Sequence, residues 1–308
     1  KNKKIVIISM PVIIGLLPSL GGAYFSAPMV EETTKDSNIT REEKSFINYW
    51  FRHIWECILP LYPGIMLVSA ITTIDLQRII IYNLPITLSM LFIGFYLSMR
   101  NISGNIANKI DYDSRFHSLW YAFLPIVILI FIVLFFGVEL YLSLIILIVS
   151  MVVFYKIKIE GIIEMLRYGF TKDVFLLIFG VMFFKQVLEI SDAINSISAF
   201  FNNVGLSILP ILIILPFITG LLTGITVAFV GTTFPIIIGI SGGIHVGDIM
   251  VSFVSGYIGV LLSPVHLCLL LTRDFFSADL NGIYRKIIPA SVFTAVVCIL
   301  CYFFANLL

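Results

Sequence analysis

The chain has 308 residues, of which 59% are hydrophobic and 12% charged, and a formal net charge of +1. With a mean hydropathy of +1.07, it carries too little charge to coat a soluble globule of this size, so hydrocarbon is its main solvent. Its Lys and Arg residues are spread through loops and form no basic stripe, which excludes nucleic acid as a partner.

Taken in chain order, Lys1, Lys3 and Lys4 lead into an apolar run over 5–29. A basic start before an apolar stretch has the form of a secretory signal peptide, but Pro11 and the polar break that follows argue against one. The first residue is not Met, and further residues are expected ahead of it. The run is interrupted by Pro18-Ser19-Leu20-Gly21-Gly22-Ala23-Tyr24-Phe25-Ser26-Ala27-Pro28. Next comes a helical stretch, 40–56, on which Asn48, Arg52 and Glu56 share one face while Trp50, Phe51, Ile54 and Trp55 fill much of the rest. This predicts an interfacial helix with aromatic anchors; the alternative turns Arg52 or His53 inward to bind substrate charge or relay a proton.

Spans of about 20 apolar residues cross a bilayer, fewer when buried in protein. The sequence predicts them at 58–74, 79–99, 119–136, 138–155, 174–190, 246–271 and 287–308. A further apolar run, 204–240, is broken by Thr219-Gly220-Leu221-Leu222-Thr223-Gly224-Ile225-Thr226 and by Gly231-Thr232-Thr233-Phe234-Pro235. Backbone leaves the helix inside a membrane only where protein buries it or a wet cavity hydrates it. Paired breaks in two halves therefore point to a binding site.

Lys and Arg concentrate in the loops 100–118, 156–172 and 273–286, which the positive-inside rule makes cytoplasmic. The turn at 137–139, the loop 191–203 and the turn at 241–244 hold neither residue and face outward. Counting back, 5–29 becomes a hairpin that enters and leaves on the cytoplasmic side, and 204–240 a hairpin entering from the opposite face. The fold expected is all-α and polytopic, with inverted repeats at 1–118 and 119–308. The first holds hairpin 5–29, helix 40–56 and spans 58–74 and 79–99. The second holds the linking spans, hairpin 204–240 and spans 246–271 and 287–308.

Glycines at 21, 22, 220 and 224 permit backbone that frees N–H and C=O groups for a ligand. Helix N-termini aimed at such a break favour an anion, while freed carbonyls and hydroxyls coordinate Na+. Ser19, Ser26, Thr223, Thr226, Thr232 and Thr233 are the hydroxyls at hand; a Na+ position falls near Gly21, Ser26, Thr223 and Thr232. Gly220-x-x-x-Gly224 and Gly239-x-x-x-Gly243 also suit close helix packing without any ligand. Among ionisable groups, Lys185 and Glu189 are spaced as an ion pair, His245 and Asp248 fall at the outer interface, and His266 follows Pro264 inside a span, as a core imidazole or a ligand-binding one. Cys57, Cys268, Cys298 and Cys301 read as small buried side chains rather than a redox or metal set. No H-E-x-x-H, G-x-S-x-G or Walker sequence occurs, so no enzyme and no ATP hydrolysis is expected.

The stretch 17–32, the run Phe46-Ile47-Asn48-Tyr49-Trp50-Phe51-Arg52-His53-Ile54-Trp55-Glu56 and Leu59-Pro60-Leu61-Tyr62-Pro63-Gly64 resemble an integral membrane family known as domain of unknown function 401. Its members look like relatives of the ion transporter superfamily, which includes gluconate, citrate, dicarboxylate and arsenite carriers. The resemblance implies inverted repeats, re-entrant hairpins, transport of organic or inorganic anions, and extra N-terminal spans ahead of this chain. The superfamily's hairpin tips correspond to Ser19, Gly21, Gly22 and Ser26, and to Thr223, Gly224, Thr226, Thr232 and Thr233.

The reading that follows is a multi-pass protein of the cell membrane, a secondary active transporter of a small anion coupled to Na+ or H+, with no cofactor beyond that ion. Arg52 and His266 join the hairpin residues as substrate contacts, and the assembly leaves room for a homodimer. The rival reading is a passive channel or a non-transporting scaffold, although no ring-forming charged pore signature is present.

Overall fold

The computed structural model describes residues 3–18, 22–35, 37–99, 124–133, 136–169, 207–241 and 245–305, with scattered positions between 172 and 196. Ser19, Gly21, the basic loop 100–118 and the Lys185 and Glu189 pair lie outside the described residues. The described residues are mostly helical, with no strand among them. Two compact units emerge: Lys1–Asn108 with Asn195–Leu308, and Lys109–Ile194. The second unit contains α6 (Leu124–Val133), α7 (Leu140–Phe154) and α8 (Ile159–Gly169). Its α7 exposes Ile145, Ile146, Ile148 and Val149, a face suited to an apolar medium.

The larger unit begins with α1 (Lys3–Ile14), α2 (Gly22–Thr34) and α3 (Arg41–His53), followed by a 3-10 turn at Ile54–Cys57. It continues through α4 (Pro63–Thr72) and α5 (Leu76–Met99). After the second unit come α9 (Ile208–Thr223), α10 (Thr226–Ser241), α11 (Val246–Leu262), α12 (Leu267–Phe276) and α13 (Leu280–Ala305). Three runs, Leu76–Ser98, Val246–Phe276 and Leu280–Ala305, are long and apolar enough to cross a membrane.

Helix α3 corrects one expectation. It starts on a capping box, in which the Thr40 hydroxyl accepts from the Glu43 N–H and the Glu43 carboxylate accepts from the Thr40 N–H, satisfying two donors that a helix start leaves open. From there it is no interfacial helix: every residue from Ser45 to His53 is buried. The aromatic side chains anchor protein rather than headgroups. Trp50 stacks on Phe46 at 5.7 Å and donates its indole N–H to the Met90 carbonyl of α5 at 2.9 Å. The polar face that resembled a water-facing one meets other helices instead. Asn48 Nδ2 donates to Ala23 O of α2 at 3.3 Å and to Thr272 Oγ1 of α12 at 3.1 Å.

One expected span is also corrected, and another, within the membrane-long run Val246–Phe276, carries an internal break. The run 58–74 yields a helix only over Pro63–Thr72, because Pro60 and Pro63 cannot continue a helix from the 3-10 turn and Pro63 is suited to restart one at its first position. The run 246–271 is split by Ser263–His266, where Pro264 removes a helical donor and α12 resumes with His266 as its N-cap.

Helix contacts in this unit come in pairs. Each hairpin packs its arms together, α1 on α2 and α9 on α10, and each first arm packs on the helix after the hairpin, α1 on α3 and α9 on α11. Crosswise, α10 packs on α4 and α2 on α12, α13 on α3 and α5 on α11, with α5 and α13 in mutual contact. The tightest seam joins α9 and α11: a Cβ on Gly220 would collide with the Gly256 carbonyl, and one on Gly259 with the Phe217 carbonyl. Small residues there let two backbones approach closely, a packing mode that stabilises helix pairs where lipid removes the hydrophobic drive. A core of Leu212, Ile237, Met250, Val254, Ile258 and Cys298 fills the space beside it. On the outside, α5 exposes Phe92, Phe95 and Tyr96, and α13 exposes Val296, Leu300, Phe303 and Phe304.

Candidate functional site

Four chain breaks meet around the end of α3. The second hairpin bends at Gly224, whose φ of +65° is one that glycine adopts without steric cost, and its N–H closes the last turn on Gly220 O at 2.8 Å. The Gly224 carbonyl accepts from His266 Nδ1 at 2.7 Å, so the break between α11 and α12 clasps the hairpin bend. Two residues on, Thr226 Oγ1 donates to Glu56 Oε2 in the 3-10 turn at 3.0 Å. Gly64, in the first turn of α4, also abuts Thr226, since a Cβ there would strike the threonine methyl.

The first hairpin is held in the same manner. Its Gly15 N–H donates to Pro11 O at 2.8 Å, and its carbonyl accepts from the hydroxyl of Tyr62, the N-cap of α4, at 2.6 Å. Gly15 lies directly against the Arg52 carbonyl, where a Cβ would collide. Both bends therefore rest on the segment from Arg52 to Tyr62.

At the core of the junction two imidazoles face each other. His53 Nε2 and His266 Nε2 are 3.2 Å apart, and His53 Nδ1 sits 2.6 Å from the Tyr49 carbonyl. A carbonyl only accepts, so each Nδ1 carries the hydrogen and each Nε2 presents a lone pair when its ring is neutral. Glu56 Oε1 is 3.9 Å from His53 Nε2, and Arg52 Nη1 donates to Cys268 Sγ at 3.1 Å. His53 and Cys268 are buried, with 2% and 6% of their surface exposed, while His266 is partly open. Reciprocal tyrosines brace the two broken helices: Tyr49 of α3 donates to Leu261 O at the end of α11, at 3.0 Å, and Tyr257 of α11 donates to His53 O at the end of α3.

Of the residues singled out in the sequence, Arg52, His53, Gly224, Thr226 and His266 come together here. Gly22 and Ser26 lie buried in α2, where Ser26 Oγ donates back to Gly22 O at 3.3 Å. Thr223, Thr232 and Thr233 also bond within their own helices, to Thr219 O, Ala228 O and Phe229 O. Asn48 Oδ1, buried beside α2, has no hydrogen-bond partner among the described residues. Tyr49 and Tyr62 join the junction without having been selected from the sequence, as do Glu56, read there only as part of a helix face, and Cys268, read only as a small buried side chain. The spacing His266-x-Cys268 directly after Pro264 was the available signal for one of them.

Residues 2–304 match the family described as Protein of unknown function (DUF401). The chain belongs to that family. Its polar junction is thus built from segments within the family match, including the stretches 46–56 and 59–64. No curated protein matches the chain.

Proposed function

We propose that this protein is a secondary active transporter of a small organic or inorganic anion, coupled to Na+ or H+, in the cell membrane. The observation that carries the reading is the clasp at Gly224: a hairpin bend, a broken helix and the 3-10 turn exchange side-chain bonds through His266 and Thr226. Helix starts at Pro63, Thr226 and Leu267 adjoin this cluster, and N-terminal dipole ends favour negative charge by about 0.3–1 kcal/mol each when exposed, more when buried. Interrupted helices whose ends frame a polar interior are the arrangement in which membrane carriers bind substrate and coupling ion.

The matched packing of α1–α5 and α9–α13 supports reading them as two repeats, and the basic loops support opposite orientations, with 100–118, 156–172 and 273–286 cytoplasmic. On this reading Gly22, Ser26, Thr223, Gly224, Thr226, Thr232 and Thr233, with Arg52 and His266, surround the route of the anion. The buried Asn48 Oδ1 offers an acceptor for the coupling cation. Alternating exposure would come from hairpin-bearing elements moving against α5 and α13.

The test is a thermal-shift screen of purified protein with carboxylates and oxyanions, with and without Na+, followed by uptake in proteoliposomes under an imposed ion gradient. A state-selective ligand at 100 times its Kd stabilises the fold by about 2.7 kcal/mol. Ligand stabilisation lost in Thr223→Ala and in Gly22→Leu, with folding intact, is the expected outcome. No stabilisation by any anion in either condition, or gradient-independent flux, sinks the carrier reading.

A further inference from the structure

We propose that His53, His266 and Cys268 form a binding site for a divalent d-block metal ion, with zinc as the fitting case, at the crossing of the two broken helices. One ligand atom from each of the three residues lies within 4.8 Å of the others. The two Nε2 atoms stand 3.2 Å apart, close to the separation of about 3.3 Å that two imidazoles adopt on a tetrahedral zinc with Zn–N bonds of about 2.0–2.1 Å.

The hydrogen positions point the same way. Both Nδ1–H groups are spent on backbone carbonyls, Tyr49 O at 2.6 Å and Gly224 O at 2.7 Å, the outer contacts that fix a ligating histidine's tautomer and leave Nε2 for the metal. Two bare nitrogens at 3.2 Å repel unless a cation lies between them. A shared proton would satisfy the pair, but it would leave unexplained why a third soft ligand, Cys268 Sγ, converges on the same point. Sulfur with two imidazoles is a donor set that suits zinc and its neighbours and does not suit Na+ or Mg2+.

Charge also nearly balances. Metal binding displaces the Cys268 thiol proton to solvent, so the thiolate and the Glu56 carboxylate offset the divalent ion, and the Arg52 guanidinium on the sulfur leaves one net positive charge that an anion would offset. Thr226 holds Glu56 by Oε2, leaving Oε1 toward His53, either as the fourth ligand or as partner of a bound water. Arg52 Nη1 donates to the sulfur from outside. Because His266 also clasps Gly224, an occupied site ties the second hairpin's bend to α3, whether or not the protein carries an anion.

The experiment is a Co2+ titration of the chelator-stripped full chain in detergent. The expected result is one Co2+ per chain, tetrahedral d–d bands, a thiolate-to-cobalt charge-transfer band, displacement by Zn2+ and a raised melting temperature. Cys268→Ser should abolish the charge-transfer band, and His266→Gln, at a partly open position, should weaken binding by at least about tenfold. Cys301→Ser should change neither. A cobalt spectrum unaltered by Cys268→Ser, or equal affinity in His266→Gln, overturns the site, as does the absence of any Zn2+-dependent stabilisation of the wild-type chain.

Discussion

The bends of the two hairpins are closed by equivalent contacts from different chemistry. Gly15 O takes a hydroxyl from Tyr62 and Gly224 O an imidazole N–H from His266, each acceptor lying on a glycine and each donor on the N-cap of the helix after a break. Tyrosine spends its one hydrogen on the carbonyl and its ring is otherwise packing. Histidine spends Nδ1–H there and still has Nε2, which reaches His53. A difference of residue type at corresponding places thus leaves one clasp with a ring nitrogen still available and the other without, which is the asymmetry on which the proposed site rests.

That comparison can be broken or sharpened by mutation. The largest effects are expected where backbones touch. Gly220→Leu must push apart α9 and α11, and Gly15→Leu the first bend and α3, since both added side chains meet carbonyls rather than flexible groups. Each should cost about 3 kcal/mol or more, the upper range for overpacking, read as loss of folded protein or a lowered melting temperature in detergent. A mild result at only one of the two would show that the halves are not built alike.

Next come the clasps. Tyr62→Phe removes one buried bond and leaves Gly15 O unpaired, for about 1–3 kcal/mol, and should leave cobalt binding unchanged, while His266→Gln alters both stability and metal affinity. Equal metal affinity in the two variants would erase the distinction drawn between the hairpins. The reciprocal braces should then give similar losses, about 1–2 kcal/mol for Tyr49→Phe and for Tyr257→Phe. The double variant should depart from the sum of the two, because both bonds join the same helix pair. Strict additivity would argue that α3 and α11 separate locally. The smallest effect is at the entry to α3, where Thr40→Ala should cost about 1 kcal/mol without changing any ligand response, checked by melting temperature with and without Zn2+.

Much of the plan was legible. Long apolar runs marked α5 and α13, and the glycine and threonine stretch 219–226 marked the bend at Gly224, because leaving a helix among apolar residues demands residues that allow it. The break expected at 231–235 is instead uninterrupted helix in α10, and 22–28 of the first expected break lies within α2, since apolar neighbours keep small and hydroxyl residues helical there. Of the two readings of helix 40–56, burial of Arg52 and His53 favours the inward one over the interfacial one, for a physical reason: amphipathicity reports that two environments exist around a helix, and says nothing of whether the polar one is water or protein. Asn48 finds Ala23 and Thr272, and Arg52 finds Cys268, so a face patterned like an interfacial one lies inside. The hydroxyls of Ser26, Thr223, Thr232 and Thr233 fit the expected polar lining in type, yet each bonds its own helix.

The amino-acid sequence alone determined that this is a helical chain with apolar helices long enough to cross a membrane and a glycine-marked bend near 224, since composition and local conformational preference act over a few neighbouring residues. Only the tertiary structure decided that His53 and His266, 213 positions apart, face each other with Cys268 and Glu56 alongside. Such a meeting depends on which carbonyl holds each Nδ1 and on how closely glycine seams let the helices approach, and neither is encoded in spacing along the chain.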